Sequence, residues 1–142
     1  MTTITAELGQ NYQVAISNGR HQWRADEPVD AGGDDTGPNP YDLLLGALAA
    51  CTVITLSVYA KRKCIDLRSV SAEFSHERVH SQDCEQCDEN HTGLVDRITS
   101  RVFIDGDFDQ ATRRRLEEIA GKCPVHRTLA AGVVFDETVF AG

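Results

Sequence analysis

In the first quarter of the chain, apolar and polar residues alternate in short runs. Thr2–Glu7, Tyr12–Ser17 and His21–Ala25 carry the partial period-two pattern of strands. Asn18-Gly19 is the strongest hairpin signal in the sequence, so 12–25 reads as a meander. Asp26–Asn39 breaks the alternation with Asp, Gly and Pro, and its Gly32-Gly33, Gly37-Pro38 and Asn39-Pro40 steps suit an ordered surface turn. From Tyr41 to about Lys63 the period becomes helical. Leu44, Leu48, Cys51, Thr55 and Val58 share one side, and Leu45, Ala49 and Leu56 widen the stripe. Asn39 fits the N-cap and Pro40 the first turn, while Asp42 at one end and Lys61, Arg62 and Lys63 at the other suit the helix dipole. Apolar coverage this broad predicts a central helix, and Gly46, Ala47, Ala49 and Ala50 leave room for another helix to pack close.

Two longer strands follow, Leu67–Val79 and Leu94–Ile104, separated by the polar insert Ser81–Thr92. Asp109 is placed to cap a helix running through Ala120, whose Leu116, Ile119, Ala120 and Cys123 keep helical spacing, with Gly121 at its end. Cys123-Pro124 opens a short helical piece to about Ala130, and Val133–Phe140 reads as a closing strand. The pattern has no internal repeat and no low-complexity tract.

Composition narrows the function classes. A hydrophobic fraction of 41% over 142 residues supports a real core in one domain. The net charge of -8 opposes binding to nucleic acid or to an anionic membrane, since both repel a protein of this sign. The best candidate for a membrane span, Leu43–Tyr59, is interrupted by Gly, Ser and Thr and falls short of the roughly 20 residues a span requires. The N-terminus MTTITAELG lacks the basic flank and apolar core of a signal peptide, which points to the cytoplasm.

Cys51, Cys64, Cys84, Cys87 and Cys123 are an odd set, unlike a secreted disulfide scaffold. In a reducing compartment such residues are core thiols, metal ligands or redox groups. Cys51 on an apolar helix face is, taken alone, a small hydrophobe filling space. Cys123 stands before Pro124, where free backbone N–H groups and the positive end of a helix favour a thiolate; His126 and Arg127 follow within a turn. If the two sulfurs meet, one can be oxidised to a sulfenic acid and the other can condense with it. An external thiol must then reopen the disulfide.

The segments GPNPYDLLLGALAACT around Cys51, GKCPVHRTL around Cys123, and HQWRADEP with its following Gly-Gly resemble the OsmC/Ohr family, the osmotically inducible and organic hydroperoxide resistance proteins. The resemblance covers nearly the whole chain, so residues 1–142 are expected to form a single OsmC-like domain. It is also similar to a branch found fused behind an α/β-hydrolase domain. The resemblance implies an α+β fold with curved antiparallel sheets around two central helices. It further implies an intertwined homodimer with active sites near the subunit interface. The implied activity is reduction of organic hydroperoxides with an external dithiol and no bound cofactor. Cys51 matches the family's peroxidatic cysteine and Cys123 its resolving one, whereas the helix-terminus argument makes Cys123 the more reactive thiol. The family's characterised enzymes carry glutamate after the Asn-Pro step, part of a network holding an arginine beside the reactive thiol. Here Tyr41 occupies that position, Asp42 is the neighbouring carboxylate, and Arg24, ahead of Arg20, is the candidate cation.

Three further groups complete the reading. Trp23 and Tyr41, with His126, are candidate substrate-pocket residues; His21 shares the strand face of Trp23, which also suits core or dimer packing. Cys84-x2-Cys87 with His76 and His80, and His91 nearby, offers ligands for zinc, although the spacing matches no standard finger. A reversible disulfide, a thiol relay or a polar hairpin with two bare thiols are the alternatives. Cys64 is structural or incidental, and Asp34 and Asp35 are solvent-facing charges. The competing functions are therefore a hydroperoxide reductase, a noncatalytic ligand-binding or redox-sensing dimer, and a structural zinc protein.

Overall fold

The N-terminal alternation becomes a three-stranded antiparallel sheet in a computed structural model that describes residues 1–142. Strand β1 (Thr5–Leu8) pairs with β2 (Val14–Ser17), and β2 with β3 (Gln22–Ala25), in register Ile16–Trp23. The strands are shorter than the alternation predicts. The turn at Asn18-Gly19 is present, within a four-residue loop, 18–21. Asn18 Oδ1 accepts from the N–H groups of Arg20 and His21 at 2.9 and 2.7 Å, and Gly19 supplies a φ of +91° that branched residues avoid.

The chain divides into two compact units, Met1–Gly46 and Ala47–Gly142. Within the first, the Asp- and Gly-rich loop is ordered by a buried carboxylate. Asp26 accepts from Thr36 Oγ1 at 2.6 Å, from Thr36 N–H at 3.0 Å and from Glu27 N–H at 2.7 Å. These bonds hold its pKa at about 2, the Thr36 hydroxyl having the largest effect, against a smaller opposing push from burial. The loop ends in a reciprocal cap: Asn39 Oδ1 accepts the Asp42 N–H at 2.8 Å while the Asp42 carboxylate accepts the Asn39 N–H at 3.1 Å. Helix α1 (Pro40–Arg62) starts there, as its cap residues predict, and continues into the second unit.

In the second unit α1 buries one stripe, Leu48, Thr52, Leu56 and Ala60, spaced four residues apart. Strands β4 (Asp66–His80) and β5 (Leu94–Asp107) form one long antiparallel hairpin. A register shift between Leu67 and Ser69 moves the inward side chains from odd to even numbers, so Val70, Ala72 and Phe74 share a half-buried face. At the base of that hairpin Gly106 lets β5 approach β4; a Cβ there would collide with the carbonyl oxygen of Asp66. Helix α2 (Gln110–Ala120) is capped by Asp109, whose carboxylate accepts the Thr112 N–H at 2.8 Å. Its Leu116 and Ile119 join Leu56 in the core, against Leu67, Val70, Val102 and Ile104 of the hairpin. Helix α3 (Pro124–Ala131) follows after Cys123.

Two expectations fail. Val133–Phe140 is not a strand: within the chain it pairs with nothing, and Val134 and Phe140 stand 94% and 93% exposed. A strand needs a neighbour for its N–H and C=O groups, and apolar alternation cannot say whether one is available. The helix expected from Tyr41 to about Lys63 is present, but the expectation that no segment is long and apolar enough for a span fails: the 23 residues of α1 meet that test by length and composition, as core helices also do. In the single chain it is less enclosed than a central helix, since Ile54 and Val58 on the other side remain exposed.

Candidate functional site

Cys123 is completely buried at the N-cap of α3, and its sulfur accepts the N–H of His126 at 3.4 Å. Pro124 at the first helical position has no N–H to satisfy and is preset to helical φ, which is why the local sequence turns into a helix here. Cys51, half-buried in α1, is a free thiol near enough to Cys123 to lower that residue's pKa, so the fold brings together two residues remote in sequence.

Burial is the largest influence on the Cys123 thiol and pushes its pKa up. The hydrogen bond with Cys51, the N–H groups of His126 and Val125, and the Thr52 side chain outweigh it together, and the thiol is held below its ordinary value. The arrangement thus has a thiolate-prone sulfur walled off from solvent beside a second, more accessible sulfur. Such a pair can pass a proton between its members and can close to a disulfide. Thr52 escaped the sequence reading. Its signal was a hydroxyl in an apolar helix next to a cysteine: buried, it needs a partner, and Cys123 is one.

The other candidate residues fall as follows. His126 enters through its backbone, its side chain being exposed. An open, mostly apolar groove lined by Ile54, Val58, Tyr59 and Ile119, with Arg62 and Lys122 also in its wall, lies on the α1 face that carries Cys51 and reaches the start of α3. In the N-terminal unit Arg24 lies on β3 opposite Ala15, with Gly37 packed against its backbone and Cγ. Trp23 pairs across the sheet with Ile16, and Tyr41 is the second residue of α1. Asp42 serves the helix cap.

At the polar insert the two candidate zinc sulfurs are engaged with each other. Cys84 and Cys87 are joined as a disulfide, and His76 Nε2 lies 2.9 Å from Asp96 Oδ1. His91 bonds Asp88 at 2.9 Å. No group of three or more His, Cys, Asp or Glu side chains is placed to hold a metal ion. The C-x2-C spacing suits both outcomes; geometry selects the bond because no third and fourth ligand converge with His80 on the sulfurs. Cys64 is exposed just beyond α1.

The family model of OsmC-like proteins matches residues 32–138. Among curated proteins nothing matches. An OsmC-like protein from Mycoplasma pneumoniae superposes with a TM-score of 0.70 at 22% identity, covering 92% of this chain and 87% of the other. The organic hydroperoxide resistance protein OhrB of Bacillus subtilis gives 0.59 at 24% identity, with 89% and 88% covered. An organic hydroperoxide resistance protein OsmC from Legionella pneumophila gives 0.62 at 23% identity, with 89% and 87% covered. Structural likeness at these identities speaks for the fold alone.

Proposed function

The chain belongs to the OsmC-like protein family, and from that premise we propose that it is a thiol-dependent peroxidase reducing organic hydroperoxides through Cys51 and Cys123. The observation that carries this reading is the nearness of the two free thiols, one buried and depressed in pKa by the other, which is more accessible.

Cys51, the accessible sulfur, attacks the distal peroxide oxygen as a thiolate, with Cys123 receiving its proton. The O–O bond breaks, the alkoxide leaves and takes the proton held by Cys123 to become the alcohol, Cys123 is again a thiolate, and Cys51 becomes a sulfenic acid. The Cys123 sulfur then attacks the Cys51 sulfur, water leaves, and a disulfide joins α1 to the start of α3. An external dithiol reduces it by exchange and leaves oxidised. The apolar groove along Ile54 and Val58 suits the alkyl part of an organic hydroperoxide better than hydrogen peroxide.

The family resemblance supports Arg24 as the cation that stabilises the reactive thiolate, Asp42 as its carboxylate partner, and Trp23, Tyr41 and His126 as pocket residues. It likewise supports an intertwined homodimer with curved sheets around two central helices. The apolar side chains of Val133–Phe140, left open in the single chain, are surface a second copy would cover. One observation favours a second reading, a redox-sensing dimer of the same fold without efficient turnover. Asp42, nearest in sequence to the position of the family glutamate, is engaged with Asn39 in the helix cap.

The test is consumption of cumene hydroperoxide with a dithiol by native protein, Cys51→Ser and Cys123→Ser. Turnover in the native protein, lost in both variants, is the expected result. A native rate no higher than that of the variants, with the Cys51–Cys123 disulfide still forming, moves the assignment to the sensor. The same rate with no disulfide sinks both readings.

A further inference from the structure

The tip of the β4–β5 hairpin holds a second pair of sulfurs that the Cys51–Cys123 chemistry does not use. Cys84 and Cys87 are bonded to each other with their Cα atoms 5.4 Å apart. The turn they close is already closed by backbone: Cys84 N–H donates to Ser81 O and Cys87 N–H to Cys84 O, each at 3.3 Å. A cross-link stabilises mainly by removing loop-closure entropy, and the gain shrinks with the loop. Across a C-x2-C turn that hydrogen-bonds to itself, a disulfide is a weak staple.

Neither sulfur serves the core. The buried cluster of Leu56, Leu116 and Ile119 packs at the base of the hairpin, whereas the ladder runs on from Val70–Ile104 to His80–Leu94 before the insert begins. That run is roughly 30 Å at the usual strand rise. Cys84 and Cys87 are half-exposed and within reach of solvent-borne reagents. The charges within the insert are one-signed: Asp83, Glu85, Asp88 and Glu89 flank the cysteines, Ser81–Thr92 contains no Lys or Arg, and His91 is engaged by Asp88. This negative charge repels anionic thiols and admits neutral or cationic ones.

We infer that Cys84–Cys87 is a thiol–disulfide exchange site, open to low-molecular-weight thiols of neutral or cationic charge. The incoming thiolate attacks one sulfur, the S–S bond breaks, a mixed disulfide forms, and the released sulfur takes up a proton. A second reductant molecule attacks the first at its own sulfur; the two leave as a disulfide, and the remaining cysteine is protonated. Two electrons pass from two thiols to the protein, and the books close without peroxide. The inference does not rest on the peroxidase reading.

The test uses the full chain in oxidised form. It is exposed to cysteamine or to 2-mercaptoethanesulfonate at matched thiolate concentration, then quenched by alkylation. Mass spectrometry reads Cys84 and Cys87, and circular dichroism reads the fold. Expected are alkylation of both cysteines with an unchanged spectrum and reduction about tenfold faster by cysteamine. That ratio shrinks in high salt and in a Glu85→Gln/Glu89→Gln variant. A bond that resists excess reductant until the protein denatures, a reduction that itself unfolds the protein, or rates indifferent to reductant charge would each overturn the inference.

Discussion

The N–H of His126 donates to the Cys123 sulfur across 3.4 Å, so one buried sulfur both caps α3 and faces Cys51. The two jobs separate by substitution. Serine keeps an oxygen acceptor at the cap and alanine keeps none. Both variants are expected to lose the disulfide with Cys51, and Cys123→Ala to be less stable than Cys123→Ser by about 1 kcal/mol, the usual worth of an N-cap. Urea unfolding measures the difference; equal midpoints and slopes would mean that the sulfur caps nothing.

Cys51→Ala removes the first of the groups that lower the Cys123 pKa while leaving Cys123 largely enclosed. With burial less opposed, the Cys123 thiol is expected to titrate higher than in the native protein. Thiolate absorbance against pH, read with the other cysteines blocked, measures this. The sign for stability follows. A depressed acid contributes stability that is present above its unfolded pKa and is lost as pH falls through the folded one. The variant should therefore gain less stability on going from neutral to alkaline pH.

Asp26 should govern the acid limb of the N-terminal unit. Its folded pKa of about 2 lies below the ordinary 3.8, so its contribution is complete above 3.8 and disappears as pH falls through about 2. Asp26→Asn cannot lose a proton and is expected to flatten that limb while lowering stability at neutral pH. Unfolding midpoints across the acid range check it. Parallel profiles for variant and native protein would assign the acid sensitivity elsewhere, with Asp88 and Asp109, shifted the same way by the Asn90 and Thr112 N–H groups, next in line.

Cys64, two residues beyond the end of α1, has a φ of +53°, and after it the Ile65 N–H donates to Ala60 O at 2.9 Å. This is the left-handed position after a helix that glycine fills without strain. Cys64→Gly is expected to raise stability by about 1 kcal/mol, since the strain of a left-handed residue is relieved. Thermal or urea unfolding reads the gain, and a loss would show that the thiol makes a contact worth more than that strain.

The sequence by itself determined what neighbouring residues decide among themselves. Asn39, Asp109 and Cys123-Pro124 mark helix starts because capping needs only groups three or four positions apart, and each start is found there. Alternation in Val70–Phe74 and Val102–Ile104 likewise reports a one-sided strand, whatever that side faces. Joint motifs around Cys51 and Cys123 were enough for the family. Tertiary structure alone decided the rest. Whether Cys51 meets Cys123, whether Cys84 and Cys87 close on each other or on a metal, and whether Val133–Phe140 finds a strand to pair with all depend on partners distant in the chain. Periodicity carries the preferences of one segment; a contact belongs to two, and its formation is set by the packing that brings them together.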